Sequence, residues 1–397
     1  MPVTAVSTGK ISPARRVAFE VLAAVENGAY ASDNLRVGSR NLEGRDAGLA
    51  AQIVFGCLRY QAQLDHLIFL YSGRSAEQLD TAVAIGLRIG IFQLRYLERI
   101  PAHAAVDETV ELIKHQKRAA VGLANAVLRK VNRAAVAWPD RATELSCPEW
   151  LLARWTKHFS TEQAEKIAAA ALEEPVAYVR LDPGTEPPHD VVLEPTAVAG
   201  CFRLLSTAKT GLRLHDIGSQ AIVPLLDLQS GDSYLDVCAA PGNKTRQALE
   251  TPLSLALACD ISRKRMRELA AACPRVILDA SRPLPFRRAF DRILIDAPCS
   301  GTGTLRRNPE IKWRVQEHDF ARFAALQQRI LGQGLGALRE GGKLVYATCS
   351  LEQEENEDVV AAVLEARPEF RCEKELWRLP GRDAGDGFYA AVIVRRA

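Results

Sequence analysis

The chain has no CxxC pair and no His/Cys cluster at metal-ligand spacing, so no metal is expected. Its nine cysteines are odd in number, which argues against a disulfide framework and for a reducing, cytoplasmic setting. No basic, apolar, small-residue leader opens the sequence and no apolar run is long enough to cross a bilayer, so no membrane is expected. Internal repeats and low-complexity tracts are missing as well. What remains is ordinary for a chain able to bury a real core: 397 residues, 48% apolar and 25% charged, enough for two or three domains. The net charge is only +3, but residues 1–140 hold 17 Lys and Arg against 13 Asp and Glu. That front-loaded surplus hints at nucleic acid and equally fits a solvated surface.

Three textures follow one another. Residues 1–137 read as all-α, with apolar residues at helical spacing such as Leu79, Val83, Leu87, Leu94 and Leu97. Helix starts are expected at Ser12, followed by Pro13, and at Ser75, and Pro101 is expected to end a long apolar helix. The run WPDRATELSCPEW breaks this pattern and opens a small mixed α+β region, 138–218, with one helix over 148–172, a strand over 176–181 and a loop over 182–190. Residues 219–397 alternate short apolar strands with helices. The strands are SYLDVC, SLALAC, RVIL, FDRILID, GKLVYAT and a last one over 387–395; the helices span 244–250, 263–272 and 315–339. Such a βαβ series builds a mostly parallel, Rossmann-like α/β sheet that binds ligands beyond the carboxyl ends of its strands.

Asp236, Asp260, Asp279 and Asp296 each fall at or just beyond a strand end, where they would line one edge of that sheet. Acids in such places accept hydrogen bonds from ribose hydroxyls or amino groups and repel polyphosphates; a turn with a helix-capping acid explains any one of them alone. The loop CAAPGNKT is small and turn-forming. It is neither GxxxxGK[ST] nor GxGxxG, so neither a P-loop nor a dinucleotide fingerprint is present there.

Cys299, in DAPCSGTGTLRRNPEIKW, and Cys349, in LVYATCS, follow two of the buried strands. Most free cysteines are core residues, the reading given to Cys57, Cys201, Cys259 and Cys273; these two sit instead among prolines, glycines and serines at the ligand edge. The pairing suits chemistry on a pyrimidine. Carbon 5 of cytosine is too electron-poor to attack a methyl group until a thiolate adds to carbon 6, and an acid must then manage charge on the ring nitrogen. A base must afterwards remove the carbon 5 proton so that the sulfur can leave. Lys244, Arg306 and Arg307 are candidates for the positive charge that favours a thiolate, or for phosphate contacts.

Taken together, LDVCAAPGNKT, DAPCSGTGTLRRNPEIKW, YATCS and DGFYAA resemble the Sun-type (RsmB/NOP) family of RNA cytosine-5 methyltransferases, and more narrowly its RsmB-like members. ARRVAFEVLAAVENGAYAS and AAQIVFGCLRYQAQLDHLI resemble the NusB-like helical domain at the front of those members. The resemblance covers nearly the whole chain. It implies Cys349 as nucleophile, Cys299 as the residue that assists product release, and Asp296 as a contact to the base and to the methyl donor. It implies S-adenosylmethionine as cofactor, held by Cys238, Ala239, Ala240, Pro241, Gly242, Asn243 and Lys244, with Asp260 on the ribose and Asp279 on the adenine. Three positions depart from the family pattern: Asn243 replaces a glycine, His215 before Asp216 replaces a glutamine, and Asp182 replaces an asparagine.

The expectation is therefore methylation of carbon 5 of a cytosine in small-subunit (16S) ribosomal RNA by a monomer, with RNA as partner and the front domain binding it. Two alternatives stay open: the same chemistry on transfer RNA or another RNA, and a non-catalytic NusB-like RNA-binding assembly factor.

Overall fold

The computed structural model describes residues 11–206, 211–269 and 271–396. The opening stretch read for a leader, 1–10, and Ala270, inside the expected helix 263–272, lie outside the described residues. The chain divides into two compact units: residues up to Arg154 with Asn308–Arg314, and Trp155–Arg307 with Val315–Ala397.

The first unit is helical, including Pro13–Glu26, Gly44–Arg59, Thr81–Tyr96 and Ala102–Gln116. Pro13 takes a first-turn position after Ser12, where its missing N–H costs nothing. Of the residues read at helical spacing, Val83 and Leu87 are buried, and Leu79, Leu94 and Leu97 pack partly buried against the same core. Each fully buried aliphatic side chain is worth roughly 1.5–3 kcal/mol. Gly56 lets two helices approach: a β-carbon there would meet the Phe92 ring at 1.9 Å. Two expected boundaries shift. Ser75 caps only the short 3-10 turn Ala76–Gln78, while the Asp80 carboxylate caps the long helix through the Ala82 N–H at 3.0 Å. That helix ends at Tyr96, and Pro101 instead precedes the next helix.

Asn308–Arg314, the tail of the Cys299 motif, belongs to this helical unit. Lys312 Nζ donates to the Arg59 carbonyl at 2.9 Å and Trp313 Nε1 to the Leu58 carbonyl at 2.7 Å. The Ala31 N–H donates to Glu310 Oε1 at 3.1 Å.

In the second unit the single helix expected over 148–172 is two, Glu149–His158, which begins in the first unit, and Thr161–Ala170. Ser160 interrupts them: extended at φ −179°, it accepts the Gln163 N–H on its hydroxyl at 3.1 Å and starts a new helix. A small antiparallel sheet follows, β1 (Tyr178–Arg180), β2 (Leu193–Pro195) and β3 (Cys201–Leu204), in the order β1-β3-β2.

The large sheet has seven strands: β4 (Ser233–Asp236), β5 (Leu255–Asp260), β6 (Arg275–Ile277), β7 (Phe290–Asp296), β8 (Leu338–Thr348), β9 (Phe370–Arg378) and β10 (Phe388–Arg395). Their order is β6-β5-β4-β7-β8-β10-β9. β4 to β8 pair in parallel, and β10 is antiparallel to both β8 and β9. The expected Rossmann-like, mostly parallel architecture is what forms. The order reverses at β4, between β5 and β7, which opens a crevice at the strand carboxyl ends. Leu235, Ile293, Leu294, Leu344 and Val345 are fully buried, as expected where both sheet faces are covered. No helix among the described residues is long and apolar enough to cross a membrane.

Candidate active site

A cavity of about 280 Å³ opens at that crevice. Cys238 and Ala240 of the turn after β4 line it, with Asp260 at the end of β5, Asp279 after β6, Asp296 at the end of β7, and Cys299 and Cys349 in the loops after β7 and β8. Five strand ends thus deliver the residues to one place, because parallel neighbours carry their following loops to the same edge. Ala239, Pro241, Gly242, Asn243 and Lys244 do not line it; they build the turn and helix Asn243–Ala248 behind it. Gly242, at φ +101°, makes the left-handed turn into that helix.

The two sulfurs lie 3.3 Å apart. The hydrogen bond to Cys349 and then burial push the Cys299 thiol well above its ordinary pKa, so Cys299 is held as a thiol. Beneath the pair, Glu355 Oε1 accepts Ser350 Oγ at 2.7 Å, and its Oε2 accepts the Ser300 N–H and Gln327 Nε2, each at 2.9 Å. Neither Glu355 nor Gln327 was found by sequence reasoning. The only signal was the acidic run LEQEENE directly after the TCS motif.

At the other end of the cavity, Asp260 Oδ2 accepts the Ala240 N–H at 3.2 Å, and its Oδ1 the Ser262 N–H at 2.7 Å. Asp279 accepts the hydroxyl and N–H of Ser281, which hold its carboxyl below the usual range. The fourth acid departs from expectation. Asp236 ends β4 but does not line the cavity; it is 1% exposed and accepts the hydroxyls of Thr245 at 2.6 Å and Tyr234 at 3.3 Å. Burial pushes its pKa up to about 7.

The basic candidates separate. Lys244 Nζ lies 2.6 Å from Asp296 Oδ2 and 5.0 Å from the Phe388 ring centroid. Arg306 is directed to the Ala170 carbonyl and Glu173, and Arg307 to Asp386. Of the cysteines read as core, Cys57, Cys201 and Cys259 are buried and Cys273 is partly so.

The three departures are also placed. The His215 ring is buried and bonded to Ser219 Oγ at 3.0 Å. The Asp182 carboxylate pairs with Arg246, and Asn243 keeps a buried Oδ1 that has no hydrogen-bond partner among the described residues. Asp216 caps its neighbours, accepting the Gly218 N–H at 2.8 Å and the Asp386 N–H at 3.1 Å.

The family model for 16S rRNA methyltransferase RsmB/F matches residues 223–394, and that for the NusB family matches residues 12–133. A protein named ribosomal RNA small subunit methyltransferase B from Yersinia pestis bv. Antiqua is 33% identical over 398 residues, covering 90% of this chain and 92% of its own. Its namesake from Yersinia pseudotuberculosis serotype O:1b is 34% identical over 400 residues, with the same coverage. The chain belongs to the RsmB/F methyltransferase family. Among solved structures, one described as PH0851 aligns at TM-score 0.80 and 19% identity, over 99% of this chain and 100% of that one. Another, described as NSun6 from Pyrococcus horikoshii with SFG, aligns at TM-score 0.53 and 18% identity over 62% and 98%. At these identities both speak for the fold alone.

S-adenosylmethionine, the cofactor of such a methyltransferase, suits the residues present. Besides Asp296, the cavity carries the carboxylates of Asp260 and Asp279 for hydroxyl and amino donors, and Ile261 and Leu278 as apolar wall for a base. Among the described residues, no group of three or more His, Cys, Asp or Glu is placed to hold a metal ion.

Proposed function

We propose that this chain methylates carbon 5 of a cytosine in small-subunit (16S) ribosomal RNA, with Cys349 as the nucleophile. The observation that carries the reading is the 3.3 Å separation of Cys299 and Cys349 on the wall of the same cavity that holds Asp260 and Asp279. Two thiols that close can attend the two faces of one chemical sequence on a single base.

S-adenosylmethionine, when bound, supplies the electrophilic methyl group. The Cys349 thiolate adds to carbon 6 and forms a carbon–sulfur bond, which makes carbon 5 nucleophilic. Asp296, held by Lys244, contacts the base where charge develops on the ring. Carbon 5 takes the methyl group and then gives its proton to a base, and the electrons of that carbon–hydrogen bond restore the ring double bond and expel the sulfur as thiolate. The carbon–sulfur bond breaks, Cys349 leaves, and Cys299 assists this release. The target base has to leave its stack to reach the thiols.

The NusB-like unit is proposed to grip RNA through phosphate contacts, which set register without reading sequence. Relatives named for the small ribosomal subunit support that substrate.

The test is transfer of labelled methyl from S-adenosylmethionine to unmodified small-subunit ribosomal RNA, with the modified position mapped. Label at a single cytosine is expected. Label only on a transfer RNA pool would move the substrate and keep the chemistry; silence on both, with no S-adenosylmethionine binding by calorimetry, would favour a non-catalytic assembly factor.

A further inference from the structure

We propose that Glu355 is the positioning residue that fixes the two cysteine loops, and with them the two thiols, relative to one another. The inference rests on the reading above, that both thiols serve one base.

The sheet positions the loops only up to a point. β7 and β8 are parallel neighbours, and the last ladder bond between them runs from the Ala297 N–H to the Ala347 carbonyl at 2.8 Å. Beyond it each chain turns away into its own loop, and each cysteine is followed by a serine. Glu355, fully buried, meets both serines. Its Oε1 accepts the Ser350 hydroxyl at 2.7 Å, and its Oε2 accepts the Ser300 backbone N–H at 2.9 Å. The two serine hydroxyls also touch, at 3.0 Å, one residue beyond the 3.3 Å sulfur contact. Gln327 completes the clamp from the helix Glu317–Ala337, giving 2.9 Å bonds to Glu355 Oε2 and to the Pro298 carbonyl just ahead of Cys299.

A carboxylate fits this spot because all three partners donate, and an ionised carboxyl only accepts. Its electrostatic effect on Cys299 has the wrong sign for activation. The negative charge of Glu355 adds to the forces that raise the Cys299 thiol, which makes a thiolate harder to form. Placement therefore explains the residue where activation does not. Among the described residues, the other titratable groups toward the pair include Tyr346 toward Cys299, Arg307 toward Cys349, and Asp296 on the cavity wall, with Lys244 bonded to it.

The experiment uses the full chain without RNA and measures how fast Cys299 and Cys349 join as a disulfide. Diamide is the oxidant: it takes up the two electrons and two protons that the thiols release, and the pair is identified by mass spectrometry. Glu355→Gln should pair at close to the wild-type rate, since the amide oxygen can accept from Ser300 and Gln327 while its nitrogen donates to Ser350. It should also shift the pH profile of Cys299 alkylation downward, because the nearby negative charge is gone. Glu355→Ala should slow pairing about tenfold, the equivalent of one lost charged hydrogen bond. A folded Glu355→Ala protein that pairs at the wild-type rate would overturn the proposal. Should that variant not fold, Ser350→Ala carries the test, with slower pairing expected and an unchanged rate counting against the clamp. Methyl transfer by the wild-type chain is scored separately, so a failed function and a failed clamp give different results.

Discussion

Lys244 places its ammonium 2.6 Å from the carboxylate of Asp296, across 52 positions of sequence. The lysine is nearly buried, with 9% of its side chain exposed, and Asp296 is one-third exposed on the cavity side. The pair joins the helix that follows the turn after β4 to the residue proposed to contact the base. Lys244→Met should lower methyl transfer by about a hundredfold, the scale of a misplaced catalytic group. S-adenosylmethionine affinity should change far less. Calorimetry beside turnover separates the two, and lost affinity with unchanged turnover would place Lys244 in the cofactor grip instead.

Gly303 packs against the loop that carries Cys349, the proposed nucleophile. Its N–H donates to the Cys349 carbonyl and its own carbonyl accepts the Gly387 N–H, both at 2.8 Å. A β-carbon at this position would meet the Gly387 oxygen at 2.4 Å and the Cys349 oxygen at 2.8 Å. These are backbone atoms that cannot swing aside, so Gly303→Ala should cost about 1–3 kcal/mol. Methyl transfer should fall more steeply than stability, because the displaced segment carries Cys349. Thermal melting and turnover on the same variant measure both.

His215 gives the protein an acid-side weakness. Burial, followed by the charge of Lys244 and nearby arginines, lowers its pKa to about 3, whereas the unfolded residue protonates near 6.5. Between those values the unfolded state binds the extra proton, so stability rises with pH there and is lost on acidification. His215→Gln removes that term and can still bond Ser219. The stability of this variant relative to wild type should increase as pH falls from 6.5, by up to about 3 kcal/mol near pH 4. Asp236 and Asp386, each raised to about 7 mainly by burial, act in the opposite direction, losing stability as pH rises from about 4 to 7. Both are present in either protein and cancel in the difference. Denaturant melts across this range check it; parallel curves would contradict it.

The βαβ half of the fold was legible because its strands are short, largely apolar runs broken only by an acid near the end, as in YLDVC and ILID, and buried parallel strands have no polar face to hide them. β9, in contrast, was missed: its sequence FRCEKELWR is half charged, since it forms the sheet edge and exposes much of its length. The break at Ser160 was missed because helical periodicity runs on through it, and only the serine cap marks the restart. At the site, the strand-end acids and both cysteines could be read from position along the sheet. Their partners could not. Glu355 reaches Ser300, and Lys244 reaches Asp296, across 55 and 52 residues, and no local pattern encodes such a meeting. Asp236 shows the converse: its position at a strand end was clear, but its burial under Thr245 and Tyr234 was not.

The most direct test of the central claim is a denaturing gel of the Cys299→Ala protein incubated with labelled target RNA and S-adenosylmethionine. The account predicts a stalled covalent protein–RNA adduct, because Cys349 can still add to the base while release is impaired, and predicts that Cys349→Ala abolishes it. An adduct that forms without Cys349 and requires Cys299 would contradict the assignment of the two thiols.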